Sequence, residues 1–144
     1  MQRGNRWIVS VLVIVSLLVP ACGGSSADEA GAPAKIELVE GTNLSRVILT
    51  PEAAERLDIR TALVRGENGG RTVIPYGAVL YSPNGDTWAY INPEPLTFVR
   101  ERIVVHRIDG DRAVLSKGPA HGTKVATVGV PELFGAESGV GGEH

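Results

Sequence analysis

Thr97-Phe98-Val99-Arg100-Glu101-Arg102-Ile103-Val104-Val105-His106-Arg107-Ile108 alternates with a period of two. Successive strand side chains point to opposite faces, so the stretch reads as one long strand. Phe98, Arg100, Arg102, Val104 and His106 share one face. Val99, Glu101, Ile103, Val105 and Arg107 share the other, which is the more apolar and is expected to face a core. Upstream, Ala78-Val79-Leu80-Tyr81 and Thr87-Trp88-Ala89-Tyr90-Ile91 flank Ser82-Pro83-Asn84-Gly85. Asn-Gly between apolar runs marks a hairpin turn, because both residues tolerate positive φ. Trp88, Tyr90 and Phe98 are expected in the hairpin core. Downstream, Asp109-Gly110-Asp111 turns the chain into Arg112-Ala113-Val114-Leu115. Gly118-Pro119-Ala120-His121-Gly122 is a loop, Lys124 to Val128 is a last strand, and Val130-Pro131-Glu132-Leu133-Phe134 closes the core.

Working towards the N-terminus, Arg71 to Ile74 reads as a strand that Pro75 ends, and Gly66 to Gly70 as a loop. Asp58 to Val64 is extended. Thr50 to Leu57 is the one clear helix: Thr50 caps it, Pro51 suits its first position and Glu52 favours its positive end. Arg46 to Leu49 and Lys35 to Glu40 are short strands. The fold class is mainly β, a small β-roll or β-barrel-like domain with one short helix. A composition of 18 Gly and 9 Pro with only 5% aromatics agrees with short strands and many turns. A net charge of −2 argues against a general nucleic-acid binder. A single cysteine excludes an internal disulfide framework and a Cys-rich zinc site.

The first residues read as an address. Arg3 and Arg6 precede an uncharged run, Trp7 to Val19. The run falls short of the roughly 20 residues of a membrane span and fits the apolar region of a signal peptide. It ends in Val19-Pro20-Ala21-Cys22-Gly23, which resembles the lipobox of bacterial lipoproteins, with Pro20 the less usual residue. The resemblance implies cleavage before Cys22 and a diacylglycerol on its thiol. Competing readings make Cys22 an inert residue beside a transmembrane anchor, or a nucleophile, although no plausible His or Asn context accompanies it. The organisation expected is a lipoprotein signal peptide over 1–21, a flexible tether over 22–34, a β domain over 35–135 and a disordered tail over 136–144.

Four stretches carry a second resemblance. They are Val47 to Thr61, Arg71 to Tyr81, Asn84 to Tyr90 and Thr97 to Arg100, followed by Gly110 to Leu115, Gly118, Gly122, Val125 and Gly129. Their order and spacing over most of residues 46–135 resemble the membrane-proximal part of periplasmic adaptor subunits, the membrane fusion proteins of RND-type efflux pumps. Those adaptors place a lipoyl-like sandwich, usually an α-helical hairpin, and a β-barrel between the first stretch and the rest. Here only Val64 to Gly70 separates them, so the likeness extends to the membrane-proximal domain alone. It implies a lipid-anchored envelope protein facing the periplasm or extracytoplasmic space. It also implies membrane lipid on Cys22 and an inner-membrane efflux transporter or full-length adaptor as partner. The alternative is a free-standing envelope lipoprotein that uses the same domain as a scaffold or small-ligand binder. An enzyme, or a remnant of a longer adaptor, are weaker rivals.

Chemistry-bearing patterns are sparse. His106, His121 and His144 form no metal-ligand spacing. The single methionine is Met1, so a methionine route for copper or silver has no support. Glu52/Glu55 and Asp109/Asp111 are accounted for by helix capping and turn formation. No nucleophile elbow, phosphate loop or dinucleotide fingerprint occurs. No cofactor and no catalysis are expected. Arg100, Arg102 and Arg107 are the candidate partner-binding residues, with the loops Ser82–Asp86 and Pro119–Thr123 beside them. A solvated strand face is the simpler reading of that basic group.

Overall fold

The computed structural model describes residues 31–139. The signal peptide over 1–21, Cys22, most of the tether and His144 lie outside the described residues. The elements in chain order are β1 (Ala34–Leu38), β2 (Ser45–Leu49), α1 (Pro51–Arg56), β3 (Arg60–Leu63), β4 (Arg65–Glu67), β5 (Arg71–Pro75), a 3-10 turn (Tyr76–Ala78), β6 (Leu80–Tyr81), β7 (Thr87–Glu94), β8 (Thr97–Asp109), β9 (Arg112–Lys117), β10 (Lys124–Val128) and α2 (Val130–Glu137). The domain is mainly β, as the alternation requires. Its helix α1 carries the expected cap: the Ala53 amide donates to Thr50 Oγ1 at 3.1 Å, with Pro51 in the first turn.

The strands form one antiparallel sheet in the order β3-β10-β7-β8-β9-β5-β4. Its two end strands are consecutive in sequence, joined through Val64 alone, so the sheet curls into a nearly closed barrel. The Val64 amide donates to the Thr123 carbonyl at 2.8 Å, and its carbonyl accepts from the Gly122 amide at 2.9 Å. One residue later Arg65 pairs with Val73 of β5. The segment thus serves β10 with its first half and β5 with its second. The Gly66–Gly70 stretch is not wholly a loop: Gly66 and Glu67 belong to β4, paired with Thr72 and Arg71. Without internal periodicity this strand had no sequence signal; the neighbouring strand creates it.

Two cores lie on opposite faces of the sheet. Val64, Ile74, Ala78, Ala89, Ile103, Ala113, Leu115 and Val125 fill the barrel. Val47, Leu49, Tyr90, Phe98, Ala126, Val130 and Leu133 form a second core outside it, under β2 and α2. Neighbours in one strand go to different cores, Ala89 inward and Tyr90 outward, Val125 inward and Ala126 outward, as a period of two demands. For β8 the expected inner face holds at Ile103 and Val105. Its other face is not simply solvated, because Phe98 is buried in the outer core. β2 pairs beside the start of β8 and sets Val47 next to Phe98, and α2 covers that face with Val130 and Leu133.

The C-terminus departs most from expectation. The sequence places a disordered tail from 136, yet α2 continues to Glu137. Gly129 starts it with φ +82°, and a Cβ there would lie 2.1 Å from Ile59 Cδ1. Only glycine permits both the left-handed backbone and that approach. Val130 and Leu133 then insert into the outer core. The stretch expected to close the core is buried at Val130 and Leu133, and it does so as a helix, a form that a short apolar run does not reveal.

Candidate functional site

The three arginines of β8 fall into separate environments. Arg100 stands opposite Tyr90 and Arg102 opposite Trp88 on β7. The Arg100 guanidinium lies 4.8 Å from the Trp88 ring centroid and 5.4 Å from that of Phe134. Its Nε sits 2.8 Å from Glu137 Oε2, with side-chain exposures of 17% and 5%. The contact is an ion pair not aligned as a hydrogen bond. The Tyr90 hydroxyl donates to the same carboxylate oxygen at 2.6 Å, and the Ser45 amide reaches Oε1 at 3.5 Å. Burial and the adjacent Glu137 carboxylate push the Tyr90 hydroxyl far above the ordinary tyrosine value. Arg100 therefore holds α2 onto the sheet through a charge, two rings and a shared carboxylate.

Arg102 pairs with Asp86. Asp86 belongs to the Ser82–Asp86 turn, which closes on itself: the Ser82 amide donates to the Asp86 carbonyl at 2.9 Å and the Gly85 amide to the Ser82 carbonyl at 2.9 Å. The structure thus brings this turn, Arg100 and Arg102 together. Ser82, Pro83, Asn84, Trp88, Arg100 and Phe134 line a shallow groove of about 490 Å3 there. Arg107 is separate. It lies beyond register shifts in the β8–β9 ladder and pairs with Glu67 of β4 at 2.9 Å. Glu67 lines another shallow groove of about 500 Å3, together with Arg71, Lys117 and His121. The arginines do not make one basic face, because strand bulges and acidic partners divide them.

Another opening lies at the seam of the barrel. A groove of about 700 Å3 runs over the junction of β3 and β5, bordered by Leu63, Arg65, Val73, Pro75, Arg112 and His121. The Pro119–Thr123 loop contributes His121 both here and to the groove beside Glu67. Pro75 explains the opening. The β4–β5 register pairs Arg65 with Val73, so its continuation would set Leu63 against Pro75. Proline has no N–H to continue the ladder. The chain leaves instead through the 3-10 turn at Tyr76–Ala78.

Pro75 was legible as a strand end. Its consequence, an open seam lined by Leu63, Arg65 and Arg112, depends on which strand lies next to it. Glu137 carried no sequence signal, since its partners are distant in the chain. Among the described residues, no three His, Cys, Asp or Glu side chains come close enough to hold a metal ion. His106 is exposed on β8. Among the same residues, no helix is long and apolar enough to cross a membrane.

No family model, no curated protein and no solved structure matches this chain.

Proposed function

We propose that the chain is a lipid-anchored envelope lipoprotein that acts as a truncated adaptor or accessory subunit of an RND-type efflux transporter, through non-covalent assembly. Lipid on Cys22 would hold it at the membrane, and the β domain would dock on the extracytoplasmic side of the transporter. One observation carries this reading. The two stretches that resemble the separated ends of an adaptor's membrane-proximal domain pack here into one sheet. β2 pairs with β8 and β3 pairs with β10, while β4 and its turn make the whole connection between the stretches. A domain built from two chain ends tolerates loss of what lies between them when a short hairpin joins the cut.

The second reading, a free-standing lipoprotein that binds a small ligand, draws on the 700 Å3 groove at the seam. It falls within the usual size of ligand pockets, and apolar side chains dominate its banks. Crosslinking in cells with a C-terminally tagged chain, followed by membrane solubilisation and mass spectrometry, separates the two. Recovery of a transporter or a full-length adaptor with the wild type, lost with Cys22→Ala, is the expected result. A lipidated, folded chain recovered alone sinks the adaptor reading and leaves the free-standing one.

A further inference from the structure

A different set of arginines does share one face. In an antiparallel sheet, residues directly opposite one another project to the same side, as do alternate residues of one strand. Arg65 stands opposite Val73, and Glu67 opposite Arg71. Val73 is paired in turn with Val114, and Pro75 with Arg112. Val114 is paired with Arg107, and Arg112 with Asp109. The alternate residues Ile74, Ala113 and Leu115 fill the barrel. Arg65, Arg71, Arg107 and Arg112 therefore lie together on the outside of the barrel, with Glu67 and Asp109. Arg65, Arg107, Arg112 and the neighbouring Ser116 are exposed, and α2 packs elsewhere, on β1 and β2.

The charge on this face is unbalanced. Glu67 stands opposite Arg71, yet it gives both oxygens to Arg107, at 2.9 Å and 3.4 Å. Asp109 takes Arg112 at 3.2 Å. Four cations thus meet two carboxylates, and all four are arginines, whose planar forks match the oxygens of a phosphate. The outside of a barrel does not enclose a small molecule, so its counterpart is an extended anionic surface. The segment from Cys22 to Ala34 spans at most roughly 40 Å, which keeps the domain within reach of the bilayer that holds the lipid. We infer that the outer face of β4, β5, β9 and β8 lies against anionic phospholipid headgroups, with its arginines on the lipid phosphates. The inference rests on the lipid anchor proposed at Cys22 and needs no transporter. It supplies the second, electrostatic attachment that a lipid anchor commonly works with.

Thiol labelling of the lipidated full chain on vesicles tests the inference. The vesicles are phosphatidylcholine alone or phosphatidylcholine with phosphatidylglycerol. Ser116→Cys places a thiol on the arginine face, and Ser138→Cys places one at the exposed end of α2. A neutral, water-soluble maleimide reacts with each, and mass spectrometry of the peptide around the new cysteine gives its rate. Phosphatidylglycerol slows labelling of Ser116→Cys about fivefold, the worth of one arginine near an anionic surface, and leaves Ser138→Cys unchanged. Arg65→Gln with Arg71→Gln removes the slowing, and so does raised salt. Three results overturn the inference: equal labelling of Ser116→Cys on both vesicles, equal slowing of Ser138→Cys, or slowing that survives in the double arginine variant. Sedimentation of the wild type with phosphatidylcholine vesicles, lost with Cys22→Ala, reads the anchor separately. Failure there sinks the anchor and the inference together, whereas a sound anchor with unchanged labelling sinks the inference alone.

Discussion

The outer core under α2 and the seam beside β3 are opposite solutions to the same problem. Each is a place where the sheet needs a cover, a face at β7 and β8 and an edge at β3. Under α2 the exposed face of β7 and β8 is sealed. Leu133 and Val130 bury apolar surface, and Glu137 gathers the Tyr90 hydroxyl, the Arg100 guanidinium and the Ser45 amide. At the seam nothing covers β3 among the described residues. The β4–β5 ladder stops short of Pro75, which has no N–H to extend it, and Leu63 borders a groove. The difference shows that closure in this fold is local. A buried charge with partners from three elements locks one side, while one residue without an N–H leaves the other side open.

The sharpest way to break the contrast is Glu137→Ala. It strands a mostly buried guanidinium and a buried hydroxyl, a loss of about 3–5 kcal/mol for removing one partner of a buried pair. Urea unfolding of the two proteins measures it. A loss below about 1 kcal/mol means that apolar contacts alone hold α2. A smaller effect comes from Tyr90→Phe, which removes the shortest bond to Glu137 and costs about 1–2 kcal/mol.

Tyr90 also makes a pH signature. Its hydroxyl is raised in the folded state, so the folded chain keeps a proton that the unfolded chain loses near pH 10. The stability this confers is fully present below that pH and falls as pH rises above it. Tyr90→Phe flattens this alkaline decline, read from unfolding midpoints across the range; an unchanged slope refutes the assignment. The smallest effect belongs to Arg107→Ala. Its ion pair with Glu67 is open to solvent, at 45% and 30% side-chain exposure, so stability changes by only about 0.5 kcal/mol. A loss comparable with that of Glu137→Ala would erase the distinction between locked and open regions.

Much of the sheet could be read from residue patterns. Thr97 to Ile108 announced β8, Asn84-Gly85 the hairpin before it, and Thr50-Pro51-Glu52 the start of α1. These signals are local, because alternation, turn preference and capping act within a few residues. The unrecognised parts share a different cause. β4 exists because β5 lies beside Gly66 and Glu67. The end of α2 is ordered because Glu137 finds Tyr90 and Arg100 across the fold. Arg100, Arg102 and Arg107 look alike in sequence, but pairing partners and ladder shifts set one under α2, one at a turn and one beside β4.

The strand-rich class, the capped helix, the turns and the point at which β5 must stop are all written in local residue patterns, since each follows from short-range sterics and hydrogen-bonding capacity. Long-range packing sets β3 and β4 as the two borders of one barrel, buries both faces of β7, and brings Glu137 to Tyr90 and Arg100. Those are relations between residues far apart in the chain, fixed by the burial of two apolar cores and by the requirement that buried polar groups find partners.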